Sequence, residues 1–362
     1  MKLPFRPFAA VLLGAALAWM PPAPARAEAP VALAEAAIPP PPAPPADPAL
    51  VAQKRAEQAL LRLFADDAQR EQQVDPLEAL YHGEAVAPEA FALLFTDVLK
   101  RRQLASAQAS LRMLQRIDRG ALSPERQISR DVFAQAKQAE LAWLAPDVRA
   151  LEDVRPFNHF NGLHMEFASL LASDGAITFA TEDDYRRALA YHAAFPTVID
   201  NAVARLRQGL ANGTVESRLT VVNMIAQIDG LLAQPVEQSP FYSPILAFPH
   251  SLDDPARARL RRDFSGSISG RIIPAYRRLR TFLTEEYLPA AREQPGLSAM
   301  KGGSWLYRRL IERQTTLRLD PEEIHRLGLS EVARIQTEMK AVQARLGDSG
   351  PLGEFFDRMR TD

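Results

Sequence analysis

Leu319-Asp320-Pro321-Glu322-Glu323-Ile324-His325 runs into Leu327-Gly328-Leu329 and then into an amphipathic stretch over 331–346. Aspartate followed by proline is a helix start. The carboxylate caps free N–H groups, proline occupies the first turn where no donor is needed, and Glu322 and Glu323 sit at the positive end of the helix dipole. Asp320-Pro321 and Ser330 therefore predict the starts of two successive helices, with Gly328 and Gly347 as C-terminal caps. A further helix begins beyond them, because Leu352, Phe355, Phe356 and Met359 share one helical face. The sequence stops three residues after Met359. Natural C-termini usually fray in polar residues, so the expectation is a truncated chain, cut inside its domain.

Helix starts of the same kind recur upstream. Ser123-Pro124-Glu125 and Thr181-Glu182-Asp183-Asp184 each combine a hydroxyl cap with acids in the first turn. Pro88 opens a helix carrying Phe91, Leu94, Phe95, Val98 and Leu99. Asp254-Pro255 opens one that runs towards Ala291 with a kink at Pro274. Leu60, Leu61, Leu63 and Phe64 fit one more helical pattern. Alternation of period two is scarce, and Ile177-Thr178-Phe179 is the short strand it predicts. The Pro- and Ser-rich stretch 234–249 reads as the main internal loop. No repeat of fixed period argues for a solenoid. The predicted fold class is mainly α, over 49–362.

The 362 residues are 47% hydrophobic and 24% charged, a globular balance with enough chain for one large domain or two smaller ones. Cysteine is absent, which excludes disulfides, thiolate zinc sites and cysteine nucleophiles, and leaves no thiol for a lipid anchor. Lys2 and Arg6 precede an apolar run, and Ala25-Arg26-Ala27 is a small-residue cleavage site. Residues 1–27 therefore read as a secretory signal peptide, since the apolar run falls short of the roughly 20 residues a span needs. The expected location is periplasmic or secreted, with no membrane anchor after cleavage. Residues 28–48, with prolines at 39–42, 44, 45 and 48, read as an extended Ala/Pro linker. Formal net charge is −1, and removing Lys2, Arg6 and Arg26 leaves the remainder at −4. So mild a charge gives no reason to expect nucleic acid as a partner.

A zinc peptidase usually sets two histidines one helical turn apart, with a neighbouring glutamate as general base. None of His82, His159, His164, His192, His250 and His325 is followed by Glu, and no two are four apart. Asn158-His159-Phe160-Asn161-Gly162-Leu163-His164 is the densest cluster. At a spacing of five its imidazoles would diverge on a helix, so they read first as hydrogen-bonded core residues; the alternative is a cleft lining, because the Asn and His side chains offer donors and acceptors on loop-like backbone. Ser265-Gly266-Ser267 and Ser269-Gly270 lack nucleophile-elbow spacing, and Lys301-Gly302-Gly303-Ser304 lacks that of a phosphate-binding loop. Arginine clusters such as Arg277-Arg278 alternate with acids and read as solvated helix faces. Catalytic and metal-binding residues are accordingly predicted as none.

Several segments carry a family likeness in order and spacing. They are Asn158-His159-Phe160-Asn161-Gly162, then Asp184-Tyr185, Ser239-Pro240-Phe241-Tyr242, Pro274-Ala275-Tyr276 and Glu286-Tyr287-Leu288-Pro289-Ala290-Ala291-Arg292. Gly296-Leu297, Lys301-Gly302-Gly303 with Tyr307, and Thr315-Thr316 follow. Together they resemble the bacterial family called domain of unknown function 885, whose members look like zinc metallopeptidases. The resemblance implies a large helical zincin-like domain with a deep cleft, of which this chain is the N-terminal portion. The family's metal site is built on His-Glu-x-x-Pro-Gly-His, further downstream than this chain reaches. Zinc and a peptide substrate are therefore implied for a full-length relative, and no cofactor for this chain. The cleft-lining candidates are Asn158, His159, Asn161, His164, Gly302, Gly303 and Tyr307. Two readings follow: the cleft-wall portion of an exported hydrolase, or a non-catalytic periplasmic helical binding module.

Overall fold

The carboxylate of Asp47 accepts the N–H of Ala49 at 2.9 Å and starts the first helix. The computed structural model describes residues 47–361. The predicted signal peptide at 1–27 and nearly all of the predicted linker at 28–48 lie outside the described residues. Fourteen α-helices follow among the described residues: α1 Pro48–Val74, α2 Pro76–Tyr81, α3 Pro88–Phe91, α4 Asp97–Gln115, α5 Pro124–Trp143, α6 Pro146–Glu152, α7 Leu163–Leu170, α8 Glu182–Asn212, α9 Arg218–Leu232, α10 Asp254–Ser267, α11 Ile273–Phe282, α12 Gly303–Thr315, α13 Pro321–Arg345 and α14 Leu352–Thr361. The fold is mainly α. Its only β feature in these residues is an isolated bridge between Ser217 and Arg292.

α8 is the axis of the larger core. Thr181 and Asp184 form a reciprocal capping box at its start, and Gly213, at φ +72°, ends it 31 residues later. Phe167 of α7 stacks on Phe195 of α8 with centroids 4.4 Å apart, and Tyr276 of α11 lies 5.2 Å from Phe195 on another side. Tyr191 donates its hydroxyl to the Val86 carbonyl at 2.6 Å. Tyr276 donates to the His164 carbonyl at 2.6 Å. Each buried hydroxyl thus has the partner that burial demands.

α1, α4 and α5 form a second, smaller group round Leu60, Leu63, Leu114, Ile117 and Leu122. Its centre also holds a charge network. The Lys137 ammonium meets Asp67 at 2.8 Å, Glu140 at 3.1 Å, and Glu71. Burial opposes that charge, but the Asp67 and Glu71 carboxylates outweigh it and hold the lysine pKa above its ordinary value.

The structure departs from the sequence pattern in four places. Ile177-Thr178-Phe179 forms no strand. Ile177 is buried in the core and the Phe179 ring packs 4.9 Å from Tyr185, so side-chain burial, not strand pairing, explains its apolar alternation. The helix opened by Pro88 breaks after Phe91, and α4 starts afresh under a Thr96 cap. Phe95 there has φ 65°. Its carbonyl is held by Arg205 Nε at 2.7 Å, and Asn201 Nδ2 bonds the Ala92 and Leu94 carbonyls at 3.0 and 3.1 Å. Gly328 caps nothing: α13 runs unbroken for 25 residues, because one interior glycine costs only about 1 kcal/mol. Finally, Pro274 does not bend a simple helix. α10 and α11 join through a π turn, Ile268–Ile272, and a second π turn, Leu283–Tyr287, follows. The result is a nearly continuous rod over 254–290. A wider turn just ahead of the proline relieves the clash its ring makes with the preceding turn.

Candidate functional site

Asparagine 158 organises the loop between α6 and α7. Its Oδ1 accepts the N–H groups of Phe160 and Asn161, both at 2.8 Å, and its own N–H donates to the Asn161 carbonyl at 2.9 Å. Short polar side chains commonly close turns on their own backbone in this way. Gly162 follows and donates to Glu166 Oε1 at 3.1 Å, while the Tyr81 hydroxyl donates to Glu166 Oε2. A Cβ on Gly162 would lie 2.7 Å from His164 Nδ1, so only glycine fits.

Glutamine 227 of α9 locks the two histidines. Its Nε2 donates to the His159 carbonyl at 2.8 Å. Its Oε1 faces His164 Nε2 at 3.2 Å. Since that oxygen can only accept, His164 Nε2 carries a proton. Burial holds its pKa below the ordinary histidine value, against the opposing pull of Gln227 and Glu166. His164 therefore lies inside the fold, and His159 lies beside Phe160 with ring centroids 4.0 Å apart. The tightly braced loop presents Phe160 to solvent at 81% exposure. A cavity of about 320 Å³, lined by Tyr81, Met165, Glu166, Ser169, Leu170 and Ala176, opens on the Glu166 side of this loop.

Gly302, Gly303 and Tyr307 lie elsewhere, on α12, and no hydrogen bond joins them to Asn158, His159, Asn161 or His164. Gly302 has φ +72°, and a Cβ there would press on Leu151 of α6 at 3.0 Å. A Cβ on Gly303 would lie 1.7 Å from the Leu297 carbonyl oxygen. These glycines let the turn before α12 close on itself and dock on α6. Tyr307 is exposed. The Gly303→Ala variant is expected to lose about 1–3 kcal/mol by overpacking, read as a lower urea midpoint, with Lys301→Ala unchanged as control.

A cavity of about 670 Å³ lies between α1, α2, α4, α5 and α12. Its acids are mostly engaged within the protein. Glu71 and Glu140 hold Lys137, Glu84 accepts from Gln72, and Asp75 caps α2. Its Trp143 ring is covered by the Arg313 guanidinium at 4.3 Å. Among the described residues no three His, Asp or Glu side chains converge as they would around a metal ion.

Sequence reasoning missed Gln227, Tyr81 and Glu166. Glu166 stands four residues from Gly162, a spacing that could have suggested it. Gln227 is 63 residues from His164 and gave no local signal.

Helices alone, wound round an aromatic core with one braced polar loop, define a mainly helical protein. Residues 76–362 match the family described as bacterial protein of unknown function, DUF885, and the chain belongs to that family. A solved structure described as "the putative lipoprotein from Colwellia psychrerythraea" is similar, with a TM-score of 0.67 at 20% identity. The likeness covers 85% of this chain and 54% of that one, so the chain spans about half its length. At such identity the likeness shows the fold alone. No curated protein matches the chain.

Proposed function

We propose that this chain is the N-terminal, cleft-wall portion of an exported zinc-dependent hydrolase of the peptidase kind, its metal motif borne on residues that follow those present here. The observation that carries this reading is the uncovered face of α13. Val332, Ile335, Met339, Val342 and Leu346 recur at spacings of three and four and are all exposed. Such a stripe is the seam by which one helix packs on another. Full burial of each such side chain is worth about 1.5–3 kcal/mol. A fold of which this chain spans about half has further elements to lay on that seam. The braced loop at Phe160 then supplies one rigid edge of the cleft.

A second reading, a non-catalytic periplasmic helical binding module, is favoured by the histidines, since His159 and His164 are tied into structural contacts rather than facing one ion. The test joins the chain with a polypeptide holding the residues that follow the matched part in a longer family member, His-Glu-x-x-Pro-Gly-His included. A 1:1 complex that retains one zinc and cleaves an unstructured peptide is expected, and Ile335→Asp with Met339→Asp should abolish it. Failure to associate, with peptide bound by the chain alone, would favour the binding module.

Export rests on the N-terminal signal pattern and is consistent with the lipoprotein description of the structural neighbour. No helix among the described residues is long and apolar enough to cross a membrane. Sequencing of the exported form should begin at Glu28, and a retained Met1 would overturn this.

A further inference from the structure

His192 is fully buried on α8, and neither ring nitrogen has a hydrogen-bond partner. Its ring is seated among aromatic edges and faces. Phe264 of α10 lies 5.4 Å away at 71°, Phe241 of the 240–245 turn 5.6 Å away at 89°, and Phe167 of α7 6.2 Å away at 67°. A neutral imidazole tolerates that seat, with weak N–H contacts to ring faces. An imidazolium needs two acceptors and finds none. The backbone around it is also weakened. Pro196 stands four residues on and cannot donate to the His192 carbonyl. α8 packs here on the rod at its π turn, Ile268–Ile272.

We propose that His192 is an acid-operated release in the core: uptake of a proton drives the ring from its aromatic seat and opens the seam between α8 and the rod at the π turn. No nearby charge would hold an imidazolium in this seat. Arg271, in the π turn, acts on the ring and is itself positive. Arg187 is paired with Asp184, Arg257 with Asp254 and Arg259 with Glu182. Arg261 lies over Phe248, and Arg262 and Asp263 are exposed. On α7, Glu166 is held by Tyr81 and Gly162, and His164 by Gln227. Tyr242 is the titratable group of the 240–245 turn. No carboxylate reaches the ring.

Burial, aided by Arg271, holds the ring pKa at about 3 against an ordinary 6.5. Above 6.5 neither folded nor unfolded chain carries the proton, and stability is full. Between 6.5 and 3 the unfolded chain alone binds it, so stability falls as pH falls. Linkage sets this loss at about tenfold in the folding constant per pH unit.

The experiment compares the protein with its His192→Leu and His192→Gln variants by urea unfolding from pH 7.5 to 4.5, with hydrogen exchange at both ends. Between pH 6.5 and 4.5 the wild-type folding constant should drop about a hundredfold relative to either variant. At pH 4.5 exchange in the wild type, compared with the variants, should quicken more at 188–200 and 264–276 than the lowered global stability alone gives the other protected segments. Variants that track the wild type across the range would overturn the proposal, as would a quickening no greater in these segments than elsewhere. Should neither variant fold, the wild-type ring signals decide: a His192 resonance titrating near 6.5 in the folded protein overturns the proposal, and one unchanged until the protein opens supports it.

Discussion

Replacing Lys137 by methionine is expected to destabilise the fold by about 3–5 kcal/mol, the usual result of removing one partner from a buried ion pair. The lysine is buried among Asp67, Glu71 and Glu140, and the Asp67 side chain is buried with it. Asp67 also accepts from the Ser110 hydroxyl, itself fully buried. Methionine would fill the lysine's volume and leave Asp67 with only the partly exposed Arg70, 3.6 Å away, as a cation. The loss should therefore be electrostatic, and removing the stranded charge should recover most of it. Urea unfolding of Lys137→Met, Asp67→Leu and the double variant reads this directly. If the double variant loses the sum of the two single effects, the network is no coupled unit and the electrostatic explanation fails.

The second large effect is expected at Phe195. It is fully buried on α8, stacked on Phe167 at an interplanar angle of 3° and tilted against Tyr276. Phe195→Ala should cost about 3–5 kcal/mol through lost burial and a residual cavity. Phe195→Leu should cost distinctly less, because it keeps most of the volume. Equal losses in the two would show that aromatic stacking, not filled space, holds this part of the core.

The helical class was legible because its signals are local. The Thr181–Asp184 box, the Asp320 cap and the positive-φ glycine at Gly347 each act over one turn, and the start read at Asp254 is capped one residue earlier, by Asp253. The break at Phe95 was not legible, because Asn201 and Arg205, over a hundred residues away, satisfy the carbonyls it exposes. Gly328 misled for the opposite reason: a glycine with no αL turn to serve is simply carried through the helix. At the candidate site, Asn158 and Gly162 were readable as loop residues. A hydrogen-bonded core role for His164 was readable too, but its partners were not, since Gln227 and Tyr276 reach it from distant helices.

The two π turns of the rod have a consequence for its length. In each, an N–H reaches back five residues instead of four, Ile273 to Ile268 and Leu288 to Leu283. Each turn thus stores one surplus residue while keeping the angular phase of the next helical segment. Deleting Gly270 should therefore leave a regular helix there with the phase kept, whereas the same residues wound without the π turn would swing everything downstream by about 100°. Tyr276, Leu279, Leu283 and Tyr287, all fully buried, would then face away from α8 together. The rod is a keyed shaft whose teeth mesh at one phase, so single-residue insertions and deletions should be tolerated in its flanking loops, and deletions at the π turns, but not elsewhere along its length.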